Sequence, residues 1–323
     1  MMNRRHLFAA AACAALPQFA WGQSFPSRTL KIVVPNAAGG AADLTARTVG
    51  QKIAGPLGQS VIIENKPSAG GIVAGELVAR AEADGHTMLL ISSGTAVSAA
   101  LFKALPFDTL KDFAPVSMLA TFDLAIVVKE GGRFKTLGDL LAYARANPGK
   151  LNVGTPQVGT TQNLAAELFK STAGIDAQVV PFNGTPPVIT ALRGGELDAA
   201  IDILGPLMPQ IAAHALLPLA VLGAQRAPQL PDVPAARESG GALADFNVSS
   251  WNALAVPAKT PADVIARLSR EVQAAVAQPD VKKRLLELNL VAQGSSPAQL
   301  REHLAADIKR WSDVIARAKI QRQ

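Results

Sequence analysis

Apolar positions along the chain fall into two kinds of run. Short β-branched runs such as Leu30–Val34 (LKIVV) alternate with longer alanine- and leucine-rich runs whose apolar residues recur at helical spacing. The first series reads as strand 29–34, helix 42–54, strand 60–64, helix 71–82, strand 87–92 and helix 95–102. A longer strand follows at 122–129 (FDLAIVVK), with no tight return after it. The second series reads as helix 137–146, strand 151–154, helix 161–172, strand 177–181, helix 186–193, strand 197–203, helix 206–213 and strand 217–222. A proline-rich irregular stretch, 227–241, leads to another long strand at 247–256 (NVSSWNALAV). Three helices close the chain near 261–277, 280–288 and 297–318, the last with an apolar stripe at Leu300, Leu304, Ile308, Trp311 and Ile315.

Such alternation predicts an α/β fold of parallel sheets covered by helices. Two series joined by two long strands predict two lobes with two crossovers, 23–122 plus 247–323 and 123–246. Ligands in open α/β sheets bind beyond the carboxyl ends of the strands, so the cleft between facing lobes is the expected site.

The strand ends share a chemistry. Strand one runs into PNAAGGAAD (35–43) and strand three into Ser92-Ser93-Gly94-Thr95. The second lobe adds TPQVGTTQN (155–163), FNGT (182–185) and DILGP (202–206). All are small, polar or glycine-rich, nearly all lead into a helix, and none holds Lys or Arg. Helix N-termini present free N–H groups and a partial positive charge. Together these loops point to an anion held by backbone amides, hydroxyls and side-chain amides. Each also has a purely structural reading, because a strand-to-helix turn needs glycine and capping residues whatever its job. Asp43 reads equally well as an ordinary first-turn acid. Asp202 ends an apolar strand (AAIDIL), where an acid is costly without a partner, and is expected to line the cleft. Gly70-Gly71 reads as a turn at its rim.

The first residues change the expected compartment. Arg4 and Arg5 precede a short apolar core, Leu7–Leu16, and Ala20-Trp21-Gly22 places small residues where a signal peptidase reads. Residues 1–22 are expected to be a cleaved signal peptide, exported by the Sec route or, from Asn-Arg-Arg-His-Leu-Phe, the twin-arginine route. Cys13, the one cysteine, leaves with it, which removes disulfides and thiol chemistry from the mature chain. Losing two arginines takes the net charge from +6 to +4. A mildly basic chain with scattered charges does not read as a nucleic-acid binder. After the signal, no apolar run approaches the ~18 residues of a membrane span.

Catalytic readings find little support. Gly39-Gly40 is not G-x-G-x-x-G, so a dinucleotide fingerprint fails at its first spacing despite Glu64 at the end of strand two. There is no G-x-S-x-G elbow and no paired-histidine metal spacing; His86, His214 and His303 are far apart in sequence. No enzyme activity, metal or cofactor is expected.

With these residues in view, the chain resembles the Bug receptors, the TctC-type extracytoplasmic solute-binding proteins of the tripartite tricarboxylate transporter family. The resemblance spans the mature chain through ordered matches. These are PNAAGGAADLTAR (35–47), LGQSVIIENKPSAGG (57–71), ADGHTMLL (83–90), LPFDTLKDFAPVS (105–117), ANPGKLNVGT (146–155), ELFKSTAG (167–174), GGELDAAID (194–202), LPDVPAARESG (230–240) and SWNALAVPAKTP (250–261). It implies a two-lobed, type II-like periplasmic binding protein, a Venus flytrap without catalysis, that delivers small carboxylates to inner-membrane permease subunits. A sensor that presents the carboxylate to a signalling receptor is the alternative. A monomer is expected.

Carried over, the ligand-binding set is Asn36, Ala38, Gly39, Gly40 and Asp43; Ser92, Ser93 and Thr95; Gly159, Thr160, Thr161 and Asn163; and Phe182, Asn183, Gly184 and Asp202. Four departures stand out. Asn36 replaces a frequent aromatic, Asn163 a frequent histidine, and Phe182-Asn183 a common Tyr-Lys, while Ile203-Leu204 makes the edge after Asp202 more apolar. They suggest a ligand with one carboxylate and a less polar remainder.

Overall fold

A computed structural model describes residues 25–317 and 320–323; the expected signal peptide and Cys13 lie outside the described residues. The first series builds β1 (Leu30–Val34), α1 (Ala41–Leu57), β2 (Val61–Asn65), α2 (Ile72–Ala79), β3 (Thr87–Ser92) and α3 (Ser93–Leu101). The long β4 (Phe113–Lys129) leads to α4 (Leu137–Ala146), β5 (Leu151–Thr155), α5 (Thr161–Ala173), β6 (Ala177–Pro181), α6 (Thr185–Gly194), β7 (Ala199–Ile203), α7 (Leu204–Ala212) and β8 (Leu216–Val221). The chain returns through β9 (Ser249–Pro257), α8 (Ala262–Ala277), α9 (Pro279–Glu287), β10 (Val291–Ala292) and α10 (Pro297–Arg317).

One continuous sheet runs β2-β1-β3-β9-β4-β7-β5-β6, with β8 and β10 also pairing on β4. Strands β1, β2 and β3 are parallel to one another, as are β5, β6 and β7; the two crossing strands β4 and β9 pair antiparallel. The 17 residues of β4 serve both halves of the sheet. Phe113–Asp123 pairs with β9, and from Leu124 onward β4 pairs with β7 and β8. Asp123, paired with Ser249 at the start of β9, therefore marks where the chain passes from one half to the other.

Alternation along β1 explains how one strand serves two layers. Leu30, Ile32 and Val34 pack with α1 and α8 residues such as Val49, Ile53, Leu268 and Val272. Val33 joins the opposite core with Leu89, Ile91 and Val97. The last helix buries Leu300, Leu304, Trp311 and Ile315 of its predicted stripe, leaves Ile308 half-buried, and packs on α3 and β4.

Two expectations change, and one strand is added. The central strand starts at Phe113, not at 122, because Pro115 and two register shifts, between Pro115 and Ser117 and between Met118 and Ala120, break the period of two that announces a strand. Helix 71–82 shortens to Ile72–Ala79 after a 3-10 turn at Ala69–Gly71, since Gly70 and Gly71 adopt left-handed φ of 65° and 67°. The two-residue β10 has too little sequence to carry a pattern.

Candidate functional site

The loops at the carboxyl ends of β1, β3, β5, β6 and β7 meet at one cavity of about 60 Å³. After β1, Gly39 takes φ 82° and turns the chain so that Gly40 becomes the N-cap of α1. Gly40 has no side chain to cap the helix. The N–H groups of Gly40, Ala41, Ala42 and Asp43 have no acceptor among the described residues, and the first three of these residues line the cavity beside Asn36, Ala37 and Ala38.

Asp43 lies behind this loop. One carboxylate oxygen, Oδ2, accepts from the Gly39 N–H and the Arg47 Nε, both at 3.0 Å, and Arg47 Nη2 lies 2.9 Å from Oδ1. Arg47 also donates to Asn65 Oδ1 at 3.3 Å, and Asn65 Nδ2 donates to the Asn36 carbonyl at 3.1 Å. Burial alone would raise the Asp43 pKa; donors from Arg47, Gly39 and Asn65 outweigh it and hold the carboxyl below its ordinary value. Asp43 and Arg47 thus brace the loop from outside the cavity.

After β3, Ser92 and Thr95 cap α3 reciprocally: Ser92 Oγ accepts from the Gly94 N–H at 3.1 Å, and Thr95 Oγ1 accepts from the Ser92 N–H at 3.0 Å. Ser92 and Gly94 line the cavity, whereas Thr95 and Gly159 line a smaller neighbouring one of about 30 Å³. Ser93 is buried and joins the two halves. Its hydroxyl lies 2.6 Å from Thr161 Oγ1 of α5 and hydrogen-bonds Ser250 Oγ of β9. Ser98 Oγ donates to the Gly159 carbonyl at 3.0 Å, and the Gly70 N–H donates to the Val158 carbonyl at 3.1 Å.

After β5, Thr160 caps α5 by accepting from the Asn163 N–H at 3.3 Å. Thr160, Thr161 and Gln162 line the cavity. After β6, Gly184 caps α6 at φ 103°; a Cβ added there would sit 3.3 Å from the Ala37 Cβ, so this loop closes directly over the β1–α1 loop. Gly184 and Thr185 line the cavity, and Asn183 sits exposed at the rim, accepting from Gln157 Nε2 at 2.8 Å.

Besides Asp43 and Ser93, three more residues of the expected set point away from the cavity. Asn163 turns inward and donates from Nδ2 to Thr155 Oγ1 at 3.1 Å, because one helical step past Gln162 rotates it toward β5. Phe182 packs against the core of the second half with Val180 and Ile189. Asp202 is fully buried and does not line the cavity. Its Oδ1 accepts from Gln162 Nε2 at 3.1 Å and from the Ile203 N–H at 2.7 Å; its Oδ2 is buried without a hydrogen-bond partner among the described residues. Burial raises its pKa to about 6, against the lowering donors Gln162 and the Ile203 N–H. Asp202 acts as a bracket behind Gln162.

The wall also includes residues outside that set. Phe122 of β4, Pro156, Gln157, Gln162, Pro186, Ile203, and Ser250 and Asn252 of β9 all line it. Asn252 Nδ2 donates to Thr45 Oγ1 of α1 at 3.0 Å. Polar Ser250 and Asn252, spaced by two in the mostly apolar SSWNALAVP, are a readable signal that they share a polar face.

Among the described residues, no Lys, Arg, His, Asp or Glu lines the cavity. Its donors are neutral dipoles at four helix N-termini together with Asn, Gln, Ser and Thr side chains. That set can hold an anion without a counter-charge. Among the described residues, no group of three or more His, Cys, Asp or Glu side chains is arranged for a metal, and no helix is long and apolar enough to cross a membrane.

Comparison with known proteins gives the same fold and a family. Protein BugT of Bordetella pertussis is 30% identical over 311 residues, covering 96% of this chain and 94% of BugT. The structure of MatC from Rhodopseudomonas palustris, with bound malate, superposes with a TM-score of 0.85 at 34% identity, covering 90% of this chain and 100% of MatC. That of R. palustris Rpa4515 with adipate superposes with a TM-score of 0.87 at 30% identity, covering 92% and 99%. The family model for the tripartite tricarboxylate transporter family receptor matches residues 45–320. A two-domain periplasmic binding protein fold, shared with the two solved relatives over about nine-tenths of the chain, and a family model that matches most of its length make this chain a member of the TctC family of tripartite tricarboxylate transporter receptors.

Proposed function

We propose that the protein is an extracytoplasmic receptor that captures a small carboxylate in this cavity and hands it to the membrane permease of a tripartite tricarboxylate transporter. The observation that carries the reading is the convergence of the α1, α3, α5 and α6 N-termini on one cavity walled by neutral donors. The malate and adipate held by two structural relatives agree with it. The carboxylate is gripped by the free N–H groups of α1, by Asn36 and Ser92, and by Thr160, Thr161 and Gln162 from the other side. Ala38, Gly39 and Gly184 shape the loops, while Asp43 and Asp202 hold them in place.

Binding couples to lobe closure. The lobes are 23–122 plus 247–323, and 123–246, and they turn about β4 near Asp123 and about the start of β9. The ligand favours closure because it touches loops from both lobes at once; only such differential contact shifts the balance of states. The protein works as a monomer in the periplasm after removal of residues 1–22, and it catalyses nothing.

The test is uptake of a radiolabelled acid that the purified protein binds, in cells with and without the gene. Loss of uptake on deletion, restored by the wild-type gene, supports delivery. Unchanged uptake contradicts it.

A further inference from the structure

We infer that the cavity selects a monocarboxylate with an apolar remainder over a dicarboxylate of the same length; this rests on the carboxylate-receptor reading above. Free donors are spread unevenly round the cavity wall. The first residues of α1 have no acceptor for their N–H groups among the described residues, and Gly40, Ala41 and Ala42 line the wall. Thr161 and Gln162 of α5 add two more backbone N–H groups without an acceptor among the described residues. One carboxylate can be fully satisfied there.

Phe122, Thr185, Pro186 and Ile203 line another part of the wall, with Ser250 paired opposite Phe122 and its hydroxyl already bonded to Ser93. Phe122 and Ile203 come from neighbouring strands, since Leu124, two residues beyond Phe122 on the same face, pairs with Ile203. The N-terminus of α6 should supply donors here, but its second and third residues are Pro186 and Pro187, which have no N–H. The Gly184 N–H is already bonded to the Phe182 carbonyl at 2.9 Å. Thr185 alone is left. Asp202 sits immediately behind this wall, bonded to Gln162 and to the Ile203 N–H, and its ionised form would repel a second anion. A second carboxylate against this part of the wall would lose its water and gain almost no donors.

The test is isothermal titration of the refolded wild-type protein at pH 8 with matched pairs: butyrate and succinate, hexanoate and adipate, benzoate and terephthalate. We expect the monoanion of the best-fitting pair to bind at least about tenfold more tightly than its dianion. A Pro186→Ala/Pro187→Ala variant restores two N–H groups and should shrink that ratio by about tenfold, with melting curves confirming that it folds. A dianion that binds as tightly as its partner, or more tightly, overturns the inference and leaves the receptor reading standing. An unchanged ratio in a folded variant also overturns it. Failure of every acid in the series to bind overturns both.

Discussion

Asp202 gives the sharpest physical prediction. Its carboxyl is fully buried, has one oxygen without a hydrogen-bond partner among the described residues, and has a pKa raised from 3.8 to about 6. A raised carboxyl pKa means that the folded state prefers the protonated form. Its stabilising contribution is therefore complete below the unfolded value and is lost as pH rises through the folded one. At about 1.36 kcal/mol per pH unit, the rise from 3.8 to about 6 corresponds to about 3 kcal/mol. Most of this is lost between about pH 4 and pH 8. The Asp202→Asn variant is nearly isosteric, keeps the oxygen that accepts from Gln162 and Ile203, and cannot ionise. Urea unfolding of both proteins across that range should show the variant gaining roughly 2–3 kcal/mol relative to wild type as pH rises. Groups that titrate alike in both proteins cancel in the difference. A difference that stays flat with pH would show that Asp202 does not titrate as a buried, half-satisfied acid, and would refute the reasoning.

Three further perturbations separate the parts of the site. Ala41→Pro removes one N–H at the first position of α1, where proline suits the helix and follows an extended Gly40, so melting should change little. Carboxylate affinity should fall roughly 10–100-fold by titration calorimetry. Asp43→Ala takes the acceptor from the Gly39 N–H and from Arg47, and should cost about 1–3 kcal/mol in urea unfolding and loosen binding. Because the Asp43 pKa is lowered, its contribution is present above the ordinary carboxyl value and lost as pH falls through the folded one; wild type and Asp43→Ala should therefore converge in stability below about pH 4. Gly184→Ala forces a side chain to φ 103° and against Ala37 across the cleft, at about 1–3 kcal/mol of strain, and small-angle scattering should show a more open molecule with ligand present.

How far the sequence reveals this molecule depends on local signal. Strands such as LKIVV and helices with clear stripes, such as α10, declare themselves through periodicity. The first half of β4 does not, because its bulges and Pro115 erase the alternation although Val116, Leu119 and Ala120 are fully buried. The same limit governs the site. Glycine-rich loops at strand ends identify the cavity's neighbourhood, since their chain positions fix where they meet. Whether a given side chain faces inward depends on helix phase and on tertiary partners. Asn163 turns to Thr155, and Asp202 finds Gln162 behind the wall instead of facing the cleft. Phe122 and Ile203 look like ordinary core residues in sequence, and they become part of the cavity only when β4 and β7 lie side by side.

In the proposed function, neutral dipoles in this cavity recognise the charge of a carboxylate. The most direct test is isothermal titration of the protein, unfolded and refolded to strip carried ligand, with small carboxylic acids and with the carboxamide of each. Saturable binding of at least one carboxylate is expected, with at least about tenfold weaker binding of its amide. An amide that binds as well as its acid, or binding to sugars and to no acid, would contradict it.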